Sequence, residues 1–333
     1  MPRRCLSLIA LGAVALVACG DDLEGVARHQ RFGVFRDLVL VARSDAKGGP
    51  FFLDRFEVSR REVLHWLAET GRVVPEAWPE TWSTADQDAP AQQRPAVRID
   101  LPTARAFAAW RLCRLPTAAE WEYTVTGGGA YRFPWGDHGR AEWANTPELS
   151  LGQSAAIGTF ESGRSPGGPY DLVGNVAEWT ESVPAGFLRE LSACPDFASL
   201  QVWAVGPGWP RPLLATVVSA WQPPPRLVVG GAYIGVSDSS SMRTTRSSSA
   251  MLACQPQEWS DTTGMRVAID PRGLLVALLR EPLLPSEPSL RLLREFLVEP
   301  THRAVLLPEF AAALARVPEA GAMLSMIRGA LRP

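Results

Sequence analysis

Proline and glycine occur 29 and 28 times in a chain of 333 residues, spread through most of its length. Proline removes a backbone donor and fixes φ, and glycine supplies conformations that break helix and strand alike. Long helices and a parallel sheet are therefore excluded over most of the chain, and twelve tryptophans must anchor a loop-rich fold. The length suits one large domain with an extension. Lys and Arg number 33 against 35 Asp and Glu, with no basic block, so nucleic-acid binding is set aside.

The first residues read as a targeting segment. Arg3 and Arg4 precede the apolar run CLSLIALGAVALVA, which is too short to span a bilayer comfortably, and Leu16-Val17-Ala18-Cys19 closes it. This resembles a bacterial lipoprotein signal over residues 1–18, with Cys19 as the lipidated first residue of a mature chain anchored at the cell-envelope membrane. Either the inner or the outer membrane fits. In an oxidising compartment Cys113, Cys194 and Cys254 cannot all pair. The expectation is one disulfide, Cys194 with Cys254, and one buried thiol, since Cys113 ends an apolar helix.

Residues 19–49 read as a tether and a first strand at Leu38-Val39-Leu40-Val41. A body over residues 50–270 opens with a strand at Phe51 and Leu53. Ser59-x-x-Glu62 and Thr117-x-x-Glu120 are capping boxes that start helices, the first ending at Gly71, and a further helix begins near Pro102. From Gly127 onward short strands and turns are expected. Residues 181–225 form an insertion carrying Trp203, Trp209 and Trp221, read as an ordered surface excursion. RLVVGGAYIG returns as a strand, and GMRVAID, residues 264–270, closes the body as another. Residues 271–333 are rich in Leu, Ala, Arg and Glu and read as three or four short helices separated by prolines. They pack on the body or bind a partner.

The ordered series FFLDRFEVS, RLPTAAEWEY, FPWGD, WAN, YDLVGNVAEWT, VVGGAY and GMRVA is similar to the sulfatase-modifying factor family, which includes the formylglycine-generating enzyme. The resemblance implies an α+β fold of low regularity, the formylglycine-enzyme variant of the C-type-lectin-like fold, with the helical extension added. In oxidising members two cysteines after the double glycine hold copper and exchange with a substrate thiol. Here those positions fall on Gly235 and Ser240, so copper is not expected and a degenerate, non-catalytic member is. The competing expectation is an oxidase with relocated thiols. The family pattern also implies a structural calcium at Asn175, Val176 and Glu178, and a second at Asn145, although these asparagines can equally serve turns. A groove is expected at Gly230, Gly231, Tyr233, Arg243 and Arg246, the two arginines resembling the family's paired arginines at a shortened spacing. Its ligand would be a protein, a peptide or a glycan. His29, His65, His138 and His302 are scattered without metal-ligand spacing.

Overall fold

The computed structural model describes residues 37–43, 48–79, 82, 90–183, 226–234, 251–254, 259–274 and 297–314. Among the described residues seven short strands form two sheets. Strands β1 (Leu38–Val41), β2 (Phe51–Asp54) and β7 (Ala268–Ile269) make an antiparallel sheet in the order β1-β2-β7. Strands β3 (Ala177–Trp179), β4 (Arg226–Val229), β5 (Met251–Cys254) and β6 (Thr263–Gly264) make the second, in the order β5-β4-β3-β6, with only β3 and β6 parallel.

Three helices cover these sheets. Helix α1 (Arg60–Thr70) starts where Ser59 accepts the Glu62 N–H, while the Glu62 carboxylate accepts from the Ser59 N–H at 2.8 Å. It ends at Gly71, whose φ of 63° is open to glycine at no steric cost. Helix α2 (Leu101–Trp110) is capped by Asp100, which accepts the Thr103 N–H at 2.8 Å. Helix α3 (Ala118–Thr126) repeats the box with Thr117 and Glu120 and stops at Gly127. Both boxes and the Gly71 stop stand where the sequence places them.

Alternation along β4 shows why the second sheet is buried on both faces. Val228 packs with Val63, Trp66, Phe107 and Trp179 in one apolar cluster, whereas Leu227 and Val229 join Phe51, Leu53 and Trp121 in another. Trp66 meets Phe107 edge-on at 5.6 Å. Trp179 is fully buried and donates its indole N–H to the Ile99 carbonyl at 2.8 Å. Cys113 follows α2 as a free thiol, and burial pushes its pKa up to about 12.

Two strand expectations need correction. RLVVGGAYIG is a strand only through Val229, because Gly230 and Gly231 turn to φ of 97° and 71°. GMRVAID is not one strand: Thr263–Gly264 belongs to one sheet and Ala268–Ile269 to the other, with Met265, Arg266 and Val267 crossing between them. In the C-terminal region helix α4 (Pro300–Leu314) contains Pro308 without ending there. Proline lacks the N–H that would reach the Ala304 carbonyl, and the helix continues with that bond missing. Leu297, Leu306 and Phe310 are buried. Among the described residues no helix is long and apolar enough to cross a membrane. Cys19, Cys194 and residues 184–225 of the insertion lie outside the described residues, as does the side chain of Cys254, so the expected disulfide does too.

Replacing Thr117 with alanine removes the α3 cap and leaves the Glu120 N–H without its acceptor. The expected cost is about 1 kcal/mol, read as a lowered urea midpoint at unchanged m-value.

Candidate functional site

Two glycine turns build the site. Antiparallel pairing of β3 and β4, with Glu178 opposite Val229, brings the turn before β3 beside the turn after β4. Gly174 donates its N–H to the Gly230 carbonyl at 2.9 Å, and Tyr233 donates its own to the Asn175 carbonyl at 3.1 Å. Asn175 in turn donates to the Asn145 carbonyl at 2.7 Å. Both glycines are required. A Cβ on Gly174 would overlap the Asn145 backbone carbonyl, and one on Gly230 would sit 3.3 Å from the Trp121 ring, each at a positive φ. The fold thus brings Asn145, Asn175, Val176, Gly230, Gly231 and Tyr233 together. Gly235, Ser240, Arg243 and Arg246 lie outside the described residues.

Beneath the turns lies a layer of buried charge. Arg266 is fully buried and directs Nε and Nη2 at Glu178, at 2.7–3.1 Å. Its remaining N–H groups reach the carbonyls of Asp54, Arg55 and Tyr170 at 2.7–3.0 Å. Asn175 accepts from Asn145 at 3.0 Å and from the Ala155 N–H at 2.8 Å, and it donates to Glu57 at 2.6 Å. Glu57 also accepts the Val176 N–H at 3.1 Å.

These contacts bear on the calcium expectation. Calcium takes six to eight oxygen ligands. As placed, both Glu178 oxygens face a guanidinium, and the Asn175 amide oxygen is taken by two N–H donors. Among the described residues no group of three His, Cys, Asp or Glu side chains is arranged to hold a metal ion. As arranged, Glu178 and the Asn175 amide oxygen are engaged with protein donors and do not offer the ion free ligands. The Asn145 amide oxygen is buried without a hydrogen-bond partner among the described residues.

Glu57, Asp171 and Arg266 are central here and were not singled out by the sequence reading. The signal lay inside the family-like motifs, as a charged residue set in an apolar stretch: FEVS, YDL and GMRVA. Burial pushes Asp171 up to about 6, against the lowering effects of the Gly158 N–H bond and Arg266. Burial, then the neighbouring charges of Asp171 and Glu178, pushes Glu57 well above the ordinary carboxyl range. The described histidines belong to separate places: His65 pairs with Glu69 on α1, His138 lies in the loop beside Trp135, and His302 is on α4.

A domain with paired glycine turns over a buried carboxylate and guanidinium layer defines a class, and sequence comparison identifies it. The chain belongs to the sulfatase-modifying factor family: the model of the sulfatase-modifying factor enzyme 1-like domain matches residues 11–271, beginning well before the first motif at residue 51. The formylglycine-generating enzyme of Thermomonospora curvata is 31% identical over 241 residues, covering 54% of this chain and 74% of that one. The Mycobacterium tuberculosis formylglycine-generating enzyme is 41% identical over 97 residues, 26% of this chain and 32% of its own length. A Mus musculus protein named inactive C-alpha-formylglycine-generating enzyme 2 is 32% identical over 201 residues, covering 50% and 65%.

Glu178→Ala removes the carboxylate that is hydrogen-bonded to buried Arg266, and the expected loss is about 3 kcal/mol by urea unfolding. Asp171→Asn tests the raised carboxyl. Between about pH 4 and pH 6 the folded chain holds a proton at Asp171 that the unfolded chain has released. This group's contribution to stability is therefore present at low pH and lost as pH rises through 6. The variant flattens that part of the stability profile, and asparagine tolerates the Asp171 φ of 53°.

Proposed function

We propose that this chain is a non-catalytic, lipid-anchored member of the family that binds a protein, peptide or glycan ligand in the groove after the double glycine. The observation that carries this reading is the sequence of residues 230–246, which contains no Cys and no His. Gly235 and Ser240 stand where the family resemblance places copper-binding thiols, and a serine hydroxyl is no soft ligand for Cu(I). Cys113 gives further support. Its thiol is protonated at neutral pH and lies beside Arg111, on the helix side of the body. A relative named as inactive fits a family in which fold and oxidation are separable.

The finer parts of this reading are the C-type-lectin-like variant of the fold, Cys19 as the lipid anchor in a bacterial envelope, and residues 181–225 as an added binding surface. The alternative is a formylglycine-generating oxidase, or another oxidoreductase of the same family, with relocated active-site residues. It is favoured by the 31% identity to the Thermomonospora curvata enzyme.

Mass spectrometry of a sulfatase-type Cys peptide incubated with the folded protein, copper and oxygen separates the two. No conversion to the aldehyde is expected. Conversion that disappears in Cys254→Ala would establish the oxidase instead.

A further inference from the structure

Three arginines stand at the end of the groove. Arg60 opens α1, and its N–H donates to the Arg94 carbonyl at 3.0 Å. A bridge between Ser59 and Pro95 holds the Arg94 loop against the helix start, and Arg98 follows in the same loop. The guanidinium of Arg60 lies 3.6 Å from the centroid of the Trp82 ring, and that of Arg98 lies 5.5 Å from the same ring. Arg98 also lies 5.7 Å from the ring of Trp259, which is 50% exposed. The Tyr233 phenol, two residues past the double glycine, sits in the field of Arg60, Arg94 and Arg98 and of Asp261.

The charges at this place do not balance among the described residues. Asp261 pairs with Arg98. Arg94 donates to the neutral amide of Gln153 at 2.9 Å. Arg60 is only 8% exposed, and its buried Nε has no acceptor among the described residues. Burial, then the like charges of Arg94 and Arg98, lowers its pKa to about 10. A buried guanidinium without a counter-charge is costly, and an oxyanion bound between the arginines removes that cost. Carboxylates match the planar donor fork of arginine with two parallel bonds. Beside Arg98 opens a cavity of about 470 Å³ lined by Trp66, Val73, Pro75 and Trp259, large enough for a side chain next to the acid.

We propose that Arg60, Arg94, Arg98 and Tyr233 form a carboxylate-binding subsite and that the groove's ligand is an acidic peptide segment flanked by Trp82 and Trp259. This rests on the binding role above and names its ligand class. The guanidinium groups take the acidic side chains, the indole faces pack on their aliphatic stems, and the cavity takes an apolar neighbour.

The test is fluorescence anisotropy of the full chain with three labelled probes: a glutamate-rich octapeptide, the same peptide with glutamine in place of glutamate, and an acidic oligosaccharide. The glutamate peptide is expected to bind at least tenfold more tightly than either other probe. Arg94→Gln and Arg98→Gln, both at partly exposed positions and checked for native circular dichroism, are each expected to weaken it about tenfold. Equal binding of the glutamine peptide, or wild-type affinity in both arginine variants, overturns the acidic ligand while leaving a binding groove. Preference for the oligosaccharide overturns the peptide. Failure of every probe to bind, with conversion of the Cys peptide to its aldehyde, overturns the binding role itself.

Discussion

The buried pair of Arg266 and Glu178 is the interaction on which the arrangement depends. Arg266 sits in the crossing between the two sheets, so its guanidinium ties β3, through Glu178, to the end of β2 and to the Tyr170 loop. Such a pair adds little net stability over an apolar substitute, yet leaving either partner alone is severe. Its effect is to select one geometry. With short strands and loops of poor intrinsic preference, the fold relies on satisfied polar contacts to fix what periodicity leaves loose.

Local chemistry was legible in the sequence wherever it is self-contained. Ser59 with Glu62 and Thr117 with Glu120 need only their own turns, and both start helices as their spacing requires. The motifs also carried the family. What the sequence hid depends on contacts between distant residues. Nothing in GMRVAID says that it divides between two sheets, because that split follows from Arg266 reaching both. Likewise nothing local to Glu178 names Arg266, far along the chain, as its ion-pair partner. Pro308 looks like a helix end, yet the backbone runs through it, since one missing hydrogen bond does not outweigh the burial of Leu306 and Phe310.

The groove region carries the opposite electrostatic character from the layer below it. Glu57, Asp171 and Glu178 surround one buried guanidinium, whereas among the described residues Arg60, Arg94 and Arg98 cluster with one ion-paired carboxylate, Asp261 on Arg98. The backbone bond between Tyr233 and Asn175 connects the two layers. A ligand charge that settles on the arginines therefore sits on the same rigid turns that the carboxylate layer holds in place.

The register of the first sheet has a consequence for how the chain is made. Phe52 pairs with Ile269 and Leu53 with Ala268, so a central strand laid down near the start waits for one more than two hundred residues later. Until that late segment leaves the ribosome, β2 has β1 on one side only and its apolar face lacks part of its cover. Closure is then a long-range event with a large loop entropy to overcome, the kind of pairing that slows folding and leaves one edge of β2 open until it is made.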